Sequence, residues 1–250
     1  MHNYMKSEFF RLNKKGLSYV ITGILAMMVV ALAVLLEYIA KTEVEFPYGN
    51  TQYYYSNVFG MSSFILLIIC FLSTYLLGKD RLIIPVSISL GIERRTIFIG
   101  KFIVTFIHFL IVVFILGLAT YLSGQILLTD KSDTVALNFL ISLFNLLPLL
   151  ISALALCYSA TLIFDNEIIA IVIVFLFYRG LALLIFGLSM VNENISAIQK
   201  YIPASAMDKL LSDFMNGTVQ LNIIGWLINL IIAFLVLFVA LKIVEKKDYT

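Results

Sequence analysis

Charge is scarce in this chain. Of its 250 residues 13% are Asp, Glu, Lys or Arg and 62% are hydrophobic, and the mean hydropathy is +1.03. A soluble domain of this length cannot hide so much apolar surface, because a sizeable share of any globule faces water. Histidine is nearly absent. His2 and His108 cannot form the closely spaced pair of an intramembrane zinc protease. The two cysteines, Cys70 and Cys157, fall inside apolar runs without metal spacing, and read as small buried hydrophobes. Paired buried carboxylates are missing, and so is a phosphate-binding loop. Gly100-Lys101 has Arg95 where the upstream glycine belongs and Phe102 where Ser or Thr belongs. These absences leave no chemistry for an enzyme and no ATP site; if ATP is used, another chain binds it.

What the chain does have is six apolar runs of about 20 residues, the length that crosses a bilayer core. They lie near 17–39, 58–77, 102–122, 137–158, 168–190 and 223–241. The runs do not alternate as barrel strands would, so the expected fold is an all-α integral membrane protein, with residues 1–250 as one transmembrane domain. A cleaved signal peptide is the rival for the first run, but that run is longer than the usual apolar core of one.

Lys and Arg set the orientation. With the N-terminus inside, one side carries twelve cations: Lys6, Arg11, Lys14, Lys15, Lys79, Arg81, Arg94, Arg95, Lys101, Lys242, Lys246 and Lys247. The other carries four, Lys41, Lys131, Lys200 and Lys209. Both termini are therefore expected in the cytoplasm, in a plasma membrane. The net charge of +2 follows from this bias and is no nucleic-acid footprint.

Residues 1–16 place Met5, Phe9 and Leu12 at helical spacing among cations, as in a helix lying among headgroups. The alternative is a frayed basic tail. Tyr53, Tyr54 and Tyr55 stand at the start of the second run, where aromatics most often form an interfacial belt. Between the fifth and sixth runs, Ile195, Ile198 and Ile202, then Met207, Leu210, Leu211 and Phe214, predict two short amphipathic helices separated at Pro203. Only Pro148 interrupts a span, so matched broken helices of the carrier type are not expected.

The connection GKDRLIIPVSISLGIERRTIFIGK, residues 78–101, is the most informative stretch. Ser87 is placed to cap a short helix that Gly91 ends, and Glu93, Arg94 and Arg95 follow. At the level of the whole chain, this pattern resembles the membrane subunit of a type 2 ABC exporter, most closely bacterial permeases of lantibiotic-immunity or phenol-soluble-modulin export. Six spans, an amphipathic lead, an inner elbow between spans two and three and short outer helices between five and six all have counterparts here.

The resemblance implies that Val86, Ser87, Ile88, Gly91, Ile92, Glu93, Arg94 and Arg95 form a coupling helix. That helix seats in an ATPase subunit present in two copies. A second permease chain, identical or related, completes the assembly. ATP and Mg are bound by the ATPase, and no cofactor by this chain. The implied activity is export of an amphipathic or hydrophobic peptide, or a lipid-like compound; an antimicrobial-peptide resistance role goes with it. The alternatives are a non-ABC carrier or channel, or a membrane assembly scaffold. For Arg94 and Arg95 the plainer reading is that they merely hold the loop inside.

Arg179 lies mid-span, where an Arg costs about 2.5–3.5 kcal/mol and should face protein or water. Two readings stay open for it. In one it faces a substrate path or subunit seam with Asn145, Glu37 and His108. In the other it is a structural tie to Asn145, Glu37 or backbone carbonyls.

Overall fold

The structure, a computed structural model, describes residues 2–14, 16–43, 46–78, 83–129, 132–190 and 202–247. Among them there is no strand; Asn50 and Thr129 form one isolated bridge. The helices are α1 His2–Lys14, α2 Gly16–Thr42, α3 Thr51–Gly60, α4 Ser62–Gly78, α5 Ile84–Ser89, α6 Arg94–Leu127, α7 Asp133–Phe164 and α8 Glu167–Phe175. A π-helical turn, Leu176–Gly180, joins α8 to α9, Leu181–Ser189; α10 Pro203–Met215 and α11 Ile223–Lys246 complete the chain.

Five helical stretches are long and apolar enough to cross a membrane: α2, α6, α7, the α8–α9 run and α11. The pair α3 and α4, bent by 56°, makes a sixth if counted as one span. The chain is thus an all-α, multi-pass membrane protein. Large apolar residues point outward, among them Met27, Phe114 and Leu183, an arrangement that suits lipid and not water.

The axle of the bundle is α7. In its apolar window 61% of residues are buried, against 17–28% for the other four single-stretch spans. The cause is composition: Ser152, Ala153, Ala155, Cys157, Ser159 and Ala160 are small and buried, so α4, α8 and α11 approach closely. Tyr178 donates to the Leu149 carbonyl (2.9 Å) and meets the Ser152 hydroxyl, which donates to Asn229 Oδ1 (3.2 Å). That network ties α7, the π-helical turn and α11 in the core.

Helix ends follow local chemistry. Asn50 caps α3 by accepting from the Tyr53 amide (2.7 Å), and Asn222 caps α11 by accepting from Gly225 (2.9 Å). Asp165 takes a left-handed conformation, φ 52°, to end α7, and Asn166 then caps α8 through the Ile168 and Ile169 amides.

Three expectations change. Tyr54 and Tyr55 are not an interfacial belt; they sit buried in α3. The Tyr54 hydroxyl donates to the Val29 carbonyl (3.0 Å), and that of Tyr55 to the Tyr121 carbonyl (2.9 Å). Helical spacing begins at Thr51, before the apolar run, and buries this face. Pro148 does not break α7, which runs on to Phe164; the interruptions fall at Met61 and at Leu176–Gly180 instead. Third, α6 begins at Arg94, so Glu93, Arg94 and Arg95 open a long helix and do not belong to a separate loop. Of the two helices expected between the last spans, α10 is the second, with Pro203 in its first turn. Most of the first lies outside the described residues.

Candidate functional site

The elbow at the α5 end is short and firmly attached. Pro85 occupies the first turn of α5, where its missing amide costs nothing. Ser87 is not a helix cap as expected: it lies inside α5 and its hydroxyl donates back to the Ile83 carbonyl (2.9 Å). Gly91, at φ 83°, ends the turn in the left-handed region that favours glycine. Ile84 is buried in a cluster with Leu77, Ile97, Phe98 and Val244, and Ile88 and Ile92 pack against its edge.

The opposite face of α5 is bare. Val86 and Leu90 are 54% and 76% exposed, and Glu93 and Arg95 stand exposed beside them. Arg94 turns inward: its guanidinium donates to the Glu245 carbonyl at the end of α11 (2.8 Å). Lys247 then donates to the Leu162 (2.9 Å) and Ile163 (3.0 Å) carbonyls and pairs with Asp165. Helices α6, α7 and α11 are thereby stapled together at the end that carries the elbow.

Gly100-Lys101 has a local purpose that the spacing did not reveal. A Cβ at Gly100 would stand 2.9 Å from the Tyr4 ring, so glycine lets α1 lie against α6. One residue on, Lys101 Nζ donates to Glu8 Oε2 (2.9 Å) with both side chains about nine-tenths buried or more, and Arg11 donates to Glu8 Oε1 (2.9 Å). Leu12 buries against Leu72, Leu76 and Val104. The lone acid in a basic lead, and a lysine in the first turns of an apolar span, were the available signals.

At the α10 end, Arg179 projects from the π-helical turn. Its Nε donates to Ser63 Oγ (3.0 Å), Nη2 to Ser62 Oγ (3.0 Å) and Nη1 to Asp208 Oδ1 of α10 (3.0 Å). The inserted residue of a π turn shifts the helix register; here Tyr178 faces α7 while its neighbour Arg179 faces α4. Arg179 therefore ties neither to Asn145 nor to Glu37, as one reading had it. Asn145 holds the segment before α11, donating to the Gln220 carbonyl (2.8 Å) and accepting from the Asn222 amide (3.0 Å). Glu37 pairs with Lys41, one turn along α2. His108 is buried in α6 with its ring 5.5 Å from that of Tyr19, edge to face. The structure thus disperses Asn145, Glu37 and His108 and gathers Ser62, Ser63 and Asp208 around Arg179. Those three were missed because each looks like an ordinary polar residue at a helix end or on an amphipathic helix. Comparison with family models, with curated proteins and with solved structures gives no match.

Proposed function

We propose that this chain is the permease subunit of an ABC exporter that moves an amphipathic or hydrophobic peptide, or a lipid-like compound. It crosses a plasma membrane six times, with α3 and α4 as one bent span, and keeps both termini in the cytoplasm. Two such chains, identical or related, pair with two ATPase subunits that bind ATP and Mg. This chain is the transport path and holds no ATPase site.

The observation that carries this reading is the bare face of α5. Val86 and Leu90 are apolar, exposed and set beside the charged Glu93 and Arg95, at the level where helices α6 and α11 carry their charged ends. Exposed apolar side chains flanked by charge suit a protein-binding surface. Ile84 packs α5 against Ile97 and Phe98 of α6 and Val244 of α11, and the staples through Arg94 and Lys247 join α6, α7 and α11, a path by which displacement of α5 reaches the spans. Copurification tests it. An ATPase should come down with the wild-type chain and be lost when Val86 and Leu90 are both changed to Asp, with span insertion unchanged. Retention of the ATPase by that variant sinks the reading. Orientation is checked by single cysteines: those at Asn50 and Asn216 react with an impermeant thiol reagent on intact cells, and one at Asp248 does not.

A second reading, a non-ABC carrier, draws on one observation. The interrupted stretches, α3–α4 and α8–α9, are the second and fifth of six, corresponding positions in two antiparallel halves of three. Such matched breaks point to a binding site in carriers. Transport by the purified chain in vesicles without any ATPase, driven by an ion gradient, would decide for it.

A further inference from the structure

We propose that Arg179, Ser62 and Ser63 form a headgroup cradle for an anionic phospholipid of the surrounding bilayer, whose acyl chain lies in the groove between α2 and α4. Asp208 is the resident carboxylate that the headgroup displaces. The site is independent of any ATPase partner.

Two features meet here. The first is the cradle: a planar guanidinium that donates to Ser62, Ser63 and Asp208, each at 3.0 Å. It already binds one anionic oxygen. That oxygen belongs to a side chain 67% exposed, against 31% for Arg179. An anion held from the solvent side is exchangeable, because its rehydration offsets most of what is lost on leaving. A phosphate offers Arg the same oxygen geometry in bidentate form.

The second feature is an apolar cavity of about 310 Å³. It is walled by Phe64, Leu67, Phe71 and Tyr75 of α4, Leu25 of α2 and Ile171 of α8. Ser63 stands one turn above Leu67 on α4, and Phe71 and Tyr75 continue in steps of four, so the cradle and the groove share one face of α4, with Phe64 of the groove next in sequence to Ser63. The groove runs about 16 Å from Phe64 to Tyr75 at 1.5 Å per residue. Ile171 lies two turns before Arg179 on the neighbouring stretch, which places both ends of the site on the same pair of helices.

The choice of occupant follows from this shape. A gap between two spans that opens sideways is filled by hydrocarbon in a membrane, and only an anion replaces Asp208 beside Arg179. A headgroup that takes the place of Asp208 sits at the first turn of α4, and its chain then runs along Leu67, Phe71 and Tyr75.

The test is native mass spectrometry of the full chain released from nanodiscs of equal parts phosphatidylglycerol and phosphatidylcholine. The wild-type chain should retain phosphatidylglycerol several-fold over phosphatidylcholine. Asp208→Asn, which removes the competing charge, should raise that ratio by roughly tenfold, the effect of about 1.4 kcal/mol. Arg179→Gln should bring the ratio to one, and Arg179→Lys should keep part of it. Leu67→Trp, which fills the groove, should lower retention of both lipids. If Arg179→Gln does not fold, Asp208→Asn and Leu67→Trp decide. An unchanged ratio in Asp208→Asn, equal retention of the two lipids by the wild type, or a cysteine at Phe71 that crosslinks two copies across the groove would each overturn the proposal.

Discussion

At the α5 end, Lys101 and Glu8 meet at 2.9 Å with side chains 4% and 5% exposed. At the α10 end, Arg179 and Asp208 meet at 3.0 Å with side chains 31% and 67% exposed. The distances are nearly equal and the energetics are not. A buried pair whose partner is removed leaves a charge in a medium that cannot solvate it, whereas an exposed pair is replaced by water at little cost. The same asymmetry holds for the other staples. Arg94 and Lys247 donate to main-chain carbonyls of α11 and α7, fixing helix against helix. At the α10 end the half-exposed Arg179 and Asn145, which grips a connecting segment, work beside a bond from Gln52 to the Met215 carbonyl (2.9 Å) and the buried Met207 and Phe214 of α10. The ion pair at the α5 end is costly to break, and the one at the α10 end is not.

The largest effect is expected at the buried pair. Glu8→Leu leaves Lys101 buried without its carboxylate and should destabilise the docking of α1 by about 3–5 kcal/mol. Detached, α1 loses the packing that holds its backbone helical, so tryptic cleavage after Lys6, Arg11 and Lys14 should become rapid while the spans stay intact. Adding Lys101→Met replaces both charges by apolar groups of similar size and should restore most of the protection. If the double variant is cleaved as fast as Glu8→Leu, the pair is not what holds the helix.

A smaller effect is expected at Asn145. Its amide satisfies the Gln220 carbonyl and the Asn222 amide at once. Asn145→Leu keeps the branching at Cγ but orphans both groups, for a cost of about 1–3 kcal/mol. Hydrogen exchange should accelerate at residues 220–222 and at the first turn of α11, with the interior of α7 unaffected. Uniform acceleration through α7 would mean that Asn145 supports the bundle as a whole.

Much of this division was legible in the sequence. The apolar runs gave the helical class and the positions of most spans, because hydrocarbon length constrains them. Proline and glycine at positions 85 and 91 gave the elbow. What stayed hidden depended on partners distant in the chain. Tyr54 and Tyr55 look like belt residues until α3 places their hydroxyls against carbonyls of α2 and α6. The bend at Met61 has no proline to announce it, and the π-helical turn at Leu176–Gly180 has no composition signal at all. Arg179 was conspicuous as a lone mid-span cation. Its partners were not, since depth along a straight helix pointed to Asn145, while the altered register after α8 points it at α4 and α10.

The smallest stability effect is expected at Asp208, and it is the sharpest check on the contrast between the two ends. Asp208→Ala removes an exposed carboxylate from a cation that keeps two hydroxyl partners in Ser62 and Ser63. The change should cost about 0–1 kcal/mol, the range of solvent-exposed pairs. Salt separates this from the buried pair, because the screening length falls from about 8 Å at physiological ionic strength to about 3 Å at 1 M. Thermal unfolding of the wild type in detergent should therefore shift slightly between those conditions, and Asp208→Ala should reduce the shift. Protection of α1 from trypsin, which rests on Glu8 and Lys101, should be unchanged by salt. Should Asp208→Ala unfold the chain as far as Glu8→Leu releases α1, the α10 end would be as rigidly built as the α5 end. Asp208 would then be a structural anchor and not an exchangeable ligand.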